Sequence, residues 1–209
     1  MKTLLVATYY AILIILIMTG ISLGILHSND FLYTFSLNHL DIFESTGLTE
    51  TFILDHYQSV MDFLNPFSTK TFSLPALTFS EQGAIHFEQC RILFRIIYLL
   101  SFLASILLIL TRKSLFHKTM LRFTSICTIL LPSIIGIWFA IDFDRAFYSF
   151  HLLFFPDDYW IFHPLKDPII LILPQDFFMY CGIFIVCSWF LGSIILFLLS
   201  VTTTHTSTP

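Results

Sequence analysis

Apolar residues along this chain collect in four long runs, and most of the charged and histidine residues fall between them. The runs are "LLVATYYAILIILIMTGISLGIL" (4–26), "IIYLLSFLASILLIL" (96–110), "TSICTILLPSIIGIWFAI" (124–141) and "FFMYCGIFIVCSWFLGSIILFLLS" (177–200). A hydrocarbon core of about 30 Å needs roughly 20 such residues in a helix. The pattern therefore predicts four spans, at about 4–26, 92–111, 122–141 and 177–200. The second is long enough only if its helix starts near residue 90. Pro132 inside the third predicts a kink, which membrane helices tolerate. The first run exceeds the usual h-region of a signal peptide and lacks a small-x-small site after it, so it reads as a retained anchor.

The gaps carry their own periodicity. "LTETFILDHYQSVMDFL" (48–64) has the spacing of an amphipathic helix, bounded by Gly47 and by Asn65-Pro66. "STKTFSLPALTFS" (68–80) alternates polar and apolar residues, which suits short strands. Ser80 is placed to cap a helix, with Glu81 in its first turn, that runs on into the second span. From Asp142 to Phe155, one helical stripe holds Phe143, Phe147, Phe150 and Phe154 and a second holds Asp144, Tyr148, His151 and Phe155. Such a helix suits the membrane interface, apolar face down.

Composition agrees with the pattern. Of 209 residues 56% are hydrophobic and only 11% charged, against roughly 25% charged in soluble domains. Lys2, Arg112, Lys113, Lys118 and Arg122 lie with no acid on one side of the spans. The 14 acids fall in 27–92 or 142–176, near only five basic residues. By the positive-inside rule both termini are cytoplasmic and the two long segments, about 27–91 and 142–176, are extracellular, with a cytoplasmic loop at about 112–121. The expected fold is an all-α integral membrane protein, one membrane domain over 1–209: a four-transmembrane-helix bundle under an extracellular cap of short helices, with short strands allowed at 68–80. The polar tail "TTTHTSTP" adds no domain, and nothing points to a nucleic-acid partner.

Candidate chemistry lies in the outer segments. Gln82, His86 and Gln89 or Cys90 share one helix face, and His86 is ten residues before Ile96, within about 15 Å of the apolar run at 1.5 Å per residue. Taken alone, His86 reads as an ordinary interfacial histidine. Arg91 and Arg95 read either as snorkelling side chains or as partners for a lipid phosphate or carbonyl. "FHLLFFPDDYWIFHPLKD" (150–167) sets His151, Asp157, Asp158, Trp160, His163 and Asp167 beside the aromatic stripe, a combination suited to a lipid substrate. A metal held by His86, His151, His163 and Asp167 is the rival, but no HExxH or other two-ligand spacing supports it. Cys90, one turn from His86, would make a Cys–His pair, and packing is the simpler reading. Cys127, Cys181 and Cys187 lie in apolar runs and behave as small hydrophobes.

The four spans, "SEQGAIHF" (Ser80, Gly83, His86, Phe87) and "FHLLFFPDDYWIFHPLKDPIILILPQDFF" (Phe150, His151, Phe154, Phe155, Asp158, Trp160, Pro164, Asp167, Pro174, Phe177, Phe178) resemble the bacterial lipoprotein intramolecular transacylase family along the whole chain. The chain departs from that pattern at Asp157, where relatives often have Asn, at Gln89, where many have an acid, and at His163, a commonly acidic position. The resemblance implies an acyltransferase in the plasma membrane of Gram-positive bacteria. Its substrates would be diacylglyceryl lipoproteins, presented among membrane lipids. The sn-2 acyl chain of the N-terminal cysteine's diacylglyceryl group would move to that cysteine's own α-amino group, giving lyso-form lipoprotein. No cofactor is expected, since ester-to-amide transfer is downhill. The resemblance implies His86 and His151 as catalytic residues at the extracellular face, His86 as base with His151 polarising the carbonyl or protonating the alkoxide, or the reverse. Asp158 or Asp167 would orient one ring, Trp160 would line the lipid-facing wall, and Arg91 and Tyr148 would support the substrate. The alternatives are a membrane-embedded hydrolase or metalloprotease, which chelators would inhibit, and a non-enzymatic adaptor, indifferent to loss of both histidines.

Overall fold

The computed structural model describes residues 2–202; the polar tail after residue 202 lies outside the described residues. Eight α-helices follow one another among the described residues: α1 (Lys2–Ser28), α2 (Phe31–His39), α3 (Ile42–Thr46), α4 (Glu50–Leu64), α5 (Glu81–Leu115), α6 (Lys118–Ile141), α7 (Phe143–Phe154) and α8 (Gln175–Thr202), with a 3-10 turn at Pro168–Leu171 before α8. Helices α1, α5, α6 and α8 are long and apolar enough to cross a membrane. The chain divides into two compact units, one of residues up to 23, 97–141 and from 183, the other of 24–96 and 142–182.

The first unit is built on close helix contacts, as expected where lipid removes the hydrophobic drive between helices. Serines and threonines join the helices: Ser22 Oγ donates to Ser188 Oγ at 2.7 Å, and Trp189 Nε1 to Thr19 Oγ1 at 3.0 Å. Ser125 Oγ donates to the Ser193 carbonyl at 3.0 Å and Ser193 Oγ to the Ser125 carbonyl at 2.8 Å. Gly20 is required where α1 meets α5, because a Cβ there would stand 2.1 Å from Ser101 Oγ. Large side chains such as Leu110, Ile134 and Phe197 remain exposed, as lipid-facing positions do.

The second unit has an aromatic core. Tyr33 stacks on Tyr57 with centroids 3.8 Å apart, meets Phe177 edge-on, and donates its hydroxyl to the Ile172 carbonyl at 2.7 Å. Helix α4 begins at Thr49, whose side chain accepts from Phe52 N, and stops at Asn65. It buries Ile53, His56, Tyr57, Val60, Phe63 and Leu64, the face that its amphipathic spacing marks.

The expected strands at 68–80 do not form: no described residue is in a strand. The reason is where the backbone groups of this segment are spent. His56 Nε2 accepts from Ala76 N and Leu77 N at 3.0 and 3.2 Å. Arg91 donates to the Lys70 carbonyl, and Arg95 to the carbonyls of Pro66 and Ser68. With Pro75 lacking a donor, side chains of α4 and α5 hold the segment and leave no ladder to build.

Candidate active site

Helix α5 starts on a shared cap. Ser80 Oγ accepts from Gly83 N at 2.9 Å and donates to Asp167 Oδ2 at 2.9 Å, while Ser80 N donates to Asp167 Oδ1 at 2.7 Å. A Cβ on Gly83 would lie 2.5 Å from Asp167 Oδ1, so glycine leaves room for the buried carboxylate. Asp167 therefore ties the 156–167 turn to the N-terminus of α5, and its oxygens are spent on Ser80 rather than on an imidazole. Three residues beyond Gly83, the same helix face carries His86.

His86 is buried, with Phe155 and Phe162 edge-on to its ring at 4.7 and 5.6 Å. Its Nε2 is 3.4 Å from Cys90 Sγ, and its Nδ1 has no hydrogen-bond partner. His151, on α7, is buried as well. Its Nδ1 donates to the Phe147 carbonyl at 2.7 Å, and its ring stacks on Trp160 with centroids 4.4 Å apart. The two histidine rings lie 5.9 Å apart, centroid to centroid. Two imidazoles 65 residues apart in sequence thus meet in one aromatic pocket.

Burial sets their protonation. His86 is pushed down to about 4, first by desolvation and then by His151; Gln89 and Asp157 act in the opposite direction. Desolvation also lowers His151, against the bond to Phe147. Burial raises the Cys90 thiol to about 12, so thiolate is scarce at neutral pH and Cys90 packs rather than attacks.

The residue behind His86 is Gln89. Its Nε2 donates to Asp157 Oδ2 at 2.7 Å, which fixes which end of the amide faces the histidine. Gln89 Oε1 is buried without a partner. It favours a charged His86 ring without reaching hydrogen-bond geometry. Sequence spacing did not pair Gln89 with Asp157. Their separation of 68 residues puts the pairing beyond any spacing rule, and only the fold brings the amide to the carboxylate.

The remaining expected residues divide. Tyr148 is exposed and edge-on to Trp160 at 5.4 Å. Asp158 is exposed and lines a polar hollow with Ser80, Gln82, Tyr159 and Asp167. Arg91 is committed to Glu88, to the Lys70 carbonyl and to the face of Phe63, 4.1 Å from the centroid. His163 is exposed and accepts from Leu165 N. Among the described residues no three His, Cys, Asp or Glu side chains gather to hold a metal ion.

The family model described as lipoprotein intramolecular transacylase Lit matches residues 6–178. A solved in meso structure of the membrane integral lipoprotein intramolecular transacylase Lit from Bacillus cereus is 28% identical, with a TM-score of 0.79 over 95% of this chain and 94% of that one. Forms of that protein with one histidine replaced by arginine or by alanine give TM-scores of 0.73 and 0.72 at 28% identity, over 96% of this chain and 89% and 92% of theirs. No protein of curated function matches. Four apolar helices and a membrane-integral relative make this a multi-pass membrane protein. With the family model matched over most of its length, the chain belongs to the lipoprotein intramolecular transacylase family.

Proposed function

We propose that this protein moves the sn-2 acyl chain of a diacylglyceryl-modified N-terminal cysteine onto the α-amino group of that cysteine, with His86 and His151 as its proton-transfer groups. The observation that carries the reading is the pair itself: two buried imidazoles 5.9 Å apart among Phe147, Phe155, Phe162 and Trp160.

In the reaction the amine nitrogen bonds to the ester carbonyl carbon, the carbon–oxygen bond to glycerol breaks, and one amine proton ends on the glycerol oxygen. An α-amine with pKa near 7.7–8.0 is largely protonated in water, and the apolar pocket favours its neutral, nucleophilic form. As attack proceeds its remaining protons become acidic and a base must take one. Because each charged ring disfavours the other, the pair holds one proton at a time. That matches the single proton the transfer moves from nitrogen to oxygen.

The hydrogen bond to Phe147 favours one order of events. The Phe147 carbonyl can only accept, so Nδ1 of His151 carries the proton and the neutral ring presents a bare Nε2. We assign Nε2 of His151 as the acceptor of the amine proton and its donor to the leaving alkoxide, with His86 tuning and sharing that charge. General acid–base steps of this kind contribute typically 10²–10⁴-fold, and holding amine and ester together about 7–11 kcal/mol more.

We place the pocket at the extracellular face, with both termini cytoplasmic, on the strength of the charge distribution along the chain. We read residues 1–209 as one membrane domain of a bacterial plasma membrane, with diacylglyceryl lipoproteins as substrates. The deciding experiment incubates purified protein with a synthetic diacylglyceryl lipopeptide and locates the acyl chain by tandem mass spectrometry. Amide-linked acyl with a free sn-2 hydroxyl is expected. Released fatty acid instead would make the protein a hydrolase.

A further inference from the structure

The aromatic pocket contains a hydrogen-bond donor that nothing in the fold satisfies. Trp160 Nε1 is buried and has no partner, although its ring is packed against Phe147, Tyr148 and, in a stack 4.4 Å from centre to centre, His151. An unsatisfied buried donor costs about 1–3 kcal/mol. The indole N–H can only donate, so what it lacks is an acceptor.

Apart from His86, whose Nδ1 is also without a partner and whose ring serves the proton transfer, the other donors nearby are already committed. Nδ1 of His151 goes to Phe147, the hydroxyl of Ser80 to Asp167, the amide of Gln89 to Asp157, and the guanidinium of Arg91 to Glu88 and the Lys70 carbonyl. The stack fixes the indole beside the ring whose Nε2 is open. A carbonyl reacting next to that nitrogen would therefore sit within the reach of Trp160.

We propose that the indole N–H of Trp160 binds the sn-2 ester carbonyl oxygen of the substrate and holds its negative charge in the transition state. This rests on the transacylase reading above and adds to it the group that stabilises the oxyanion. The assignment suits the chemistry. A donor aimed where charge develops is worth most in a site that excludes water. Indole keeps its proton throughout, so it stabilises the oxyanion without competing for the proton that the histidines carry. Trp160 then does two things at once: its face orients His151 and its edge orients the carbonyl.

The test replaces the donor and keeps the shape. At position 160 the sulfur analogue of tryptophan, benzothienylalanine, retains the fused ring without the N–H; Trp160→Phe is the second variant. With the diacylglyceryl lipopeptide, kcat should fall on the order of 10²-fold in both, while KM and the pH dependence stay as in the unmodified protein. A competitor with an sn-2 ether, which has no carbonyl, should bind the unmodified protein and the sulfur variant equally. Unchanged kcat in the sulfur variant overturns the inference alone. Weaker binding of the ether to that variant overturns it too, by making Trp160 a packing residue. No conversion by the unmodified protein overturns the functional reading and this inference together.

Discussion

His86 and His151 lie 5.9 Å apart on α5 and α7, and each ring makes it harder for the other to carry a charge. A pair that shares one proton behaves as a unit. His86→Ala and His151→Asn are each expected to lower the rate of lipopeptide conversion by about 10²–10⁴-fold, with the protein still inserted. The asparagine keeps a donor for the Phe147 carbonyl while it removes Nε2 together with the ring that stacks on Trp160. Because the losses share one cause, the double variant should be little worse than the weaker single variant. Multiplicative losses, measured by mass spectrometry under single-turnover conditions, would assign the rings to independent steps.

Gly83 and Asp167 make a separate claim about stability. Gly83→Ala drives a methyl to within 2.5 Å of Asp167 Oδ1, and Asp167→Ala leaves the Ser80 donors without their acceptor. Each should cost about 1–3 kcal/mol and lower the thermal midpoint in detergent. Any loss of activity should follow the unfolded fraction, with an unchanged pH profile in the protein that stays folded. A shifted profile in Asp167→Ala would return that carboxylate to the histidines.

What could be read in the sequence follows from how much signal each feature carries. The four spans were legible because about 20 consecutive apolar residues are hard to place elsewhere. The start of α5 was legible because Ser80 and Glu81 are strong local signals. Helix α7 was legible from its two stripes, observed at Phe143–Phe154 with Asp142 as cap. Helices α2 and α3 were not: they span nine and five residues, too few for a period to show. The strands expected at 68–80 failed because alternation reports half-burial and says nothing of a neighbouring strand. The convergence of His86 and His151 came from family likeness, since spacing cannot join positions 65 residues apart. The observed partner of Asp167, the Ser80 cap, was not legible because the two lie 87 residues apart.

Gln89 and Asp157 offer a test by exchange. Gln89→Glu alone would set two carboxylates where one hydrogen bond of 2.7 Å now stands, and like charges at that distance are costly. This variant should be less stable and slower. Adding Asp157→Asn restores one acid and one amide in swapped places, and should recover most of the stability. In the double variant the carboxylate adjoins His86, so the acid limb of the rate profile should move to higher pH by about one unit. If the double variant is no better than Gln89→Glu, the two side chains do not act as a pair.

The depressed imidazoles set the pH behaviour. His86 falls from 6.5 to about 4, and His151 is lowered as well. Above pH 6.5 neither the folded nor the unfolded protein carries these charges, so stability does not depend on them. As pH drops below 6.5, the unfolded chain takes up protons that the buried rings refuse. Stability should therefore fall between pH 6.5 and about 4, by roughly 3 kcal/mol for His86 alone, and level off below. His86 itself stays largely neutral until the pH nears 4, and His151, lowered by the same burial, resists protonation more than a free imidazole does. Conversion, corrected for the fraction of substrate amine that is unprotonated, should thus lose its rate at a lower pH than a solvated histidine would, wherever the protein remains folded. An acid limb centred near 6.5 would mean that water reaches both rings, and a solvated pair could not serve as the single-proton store on which the proposed transfer depends.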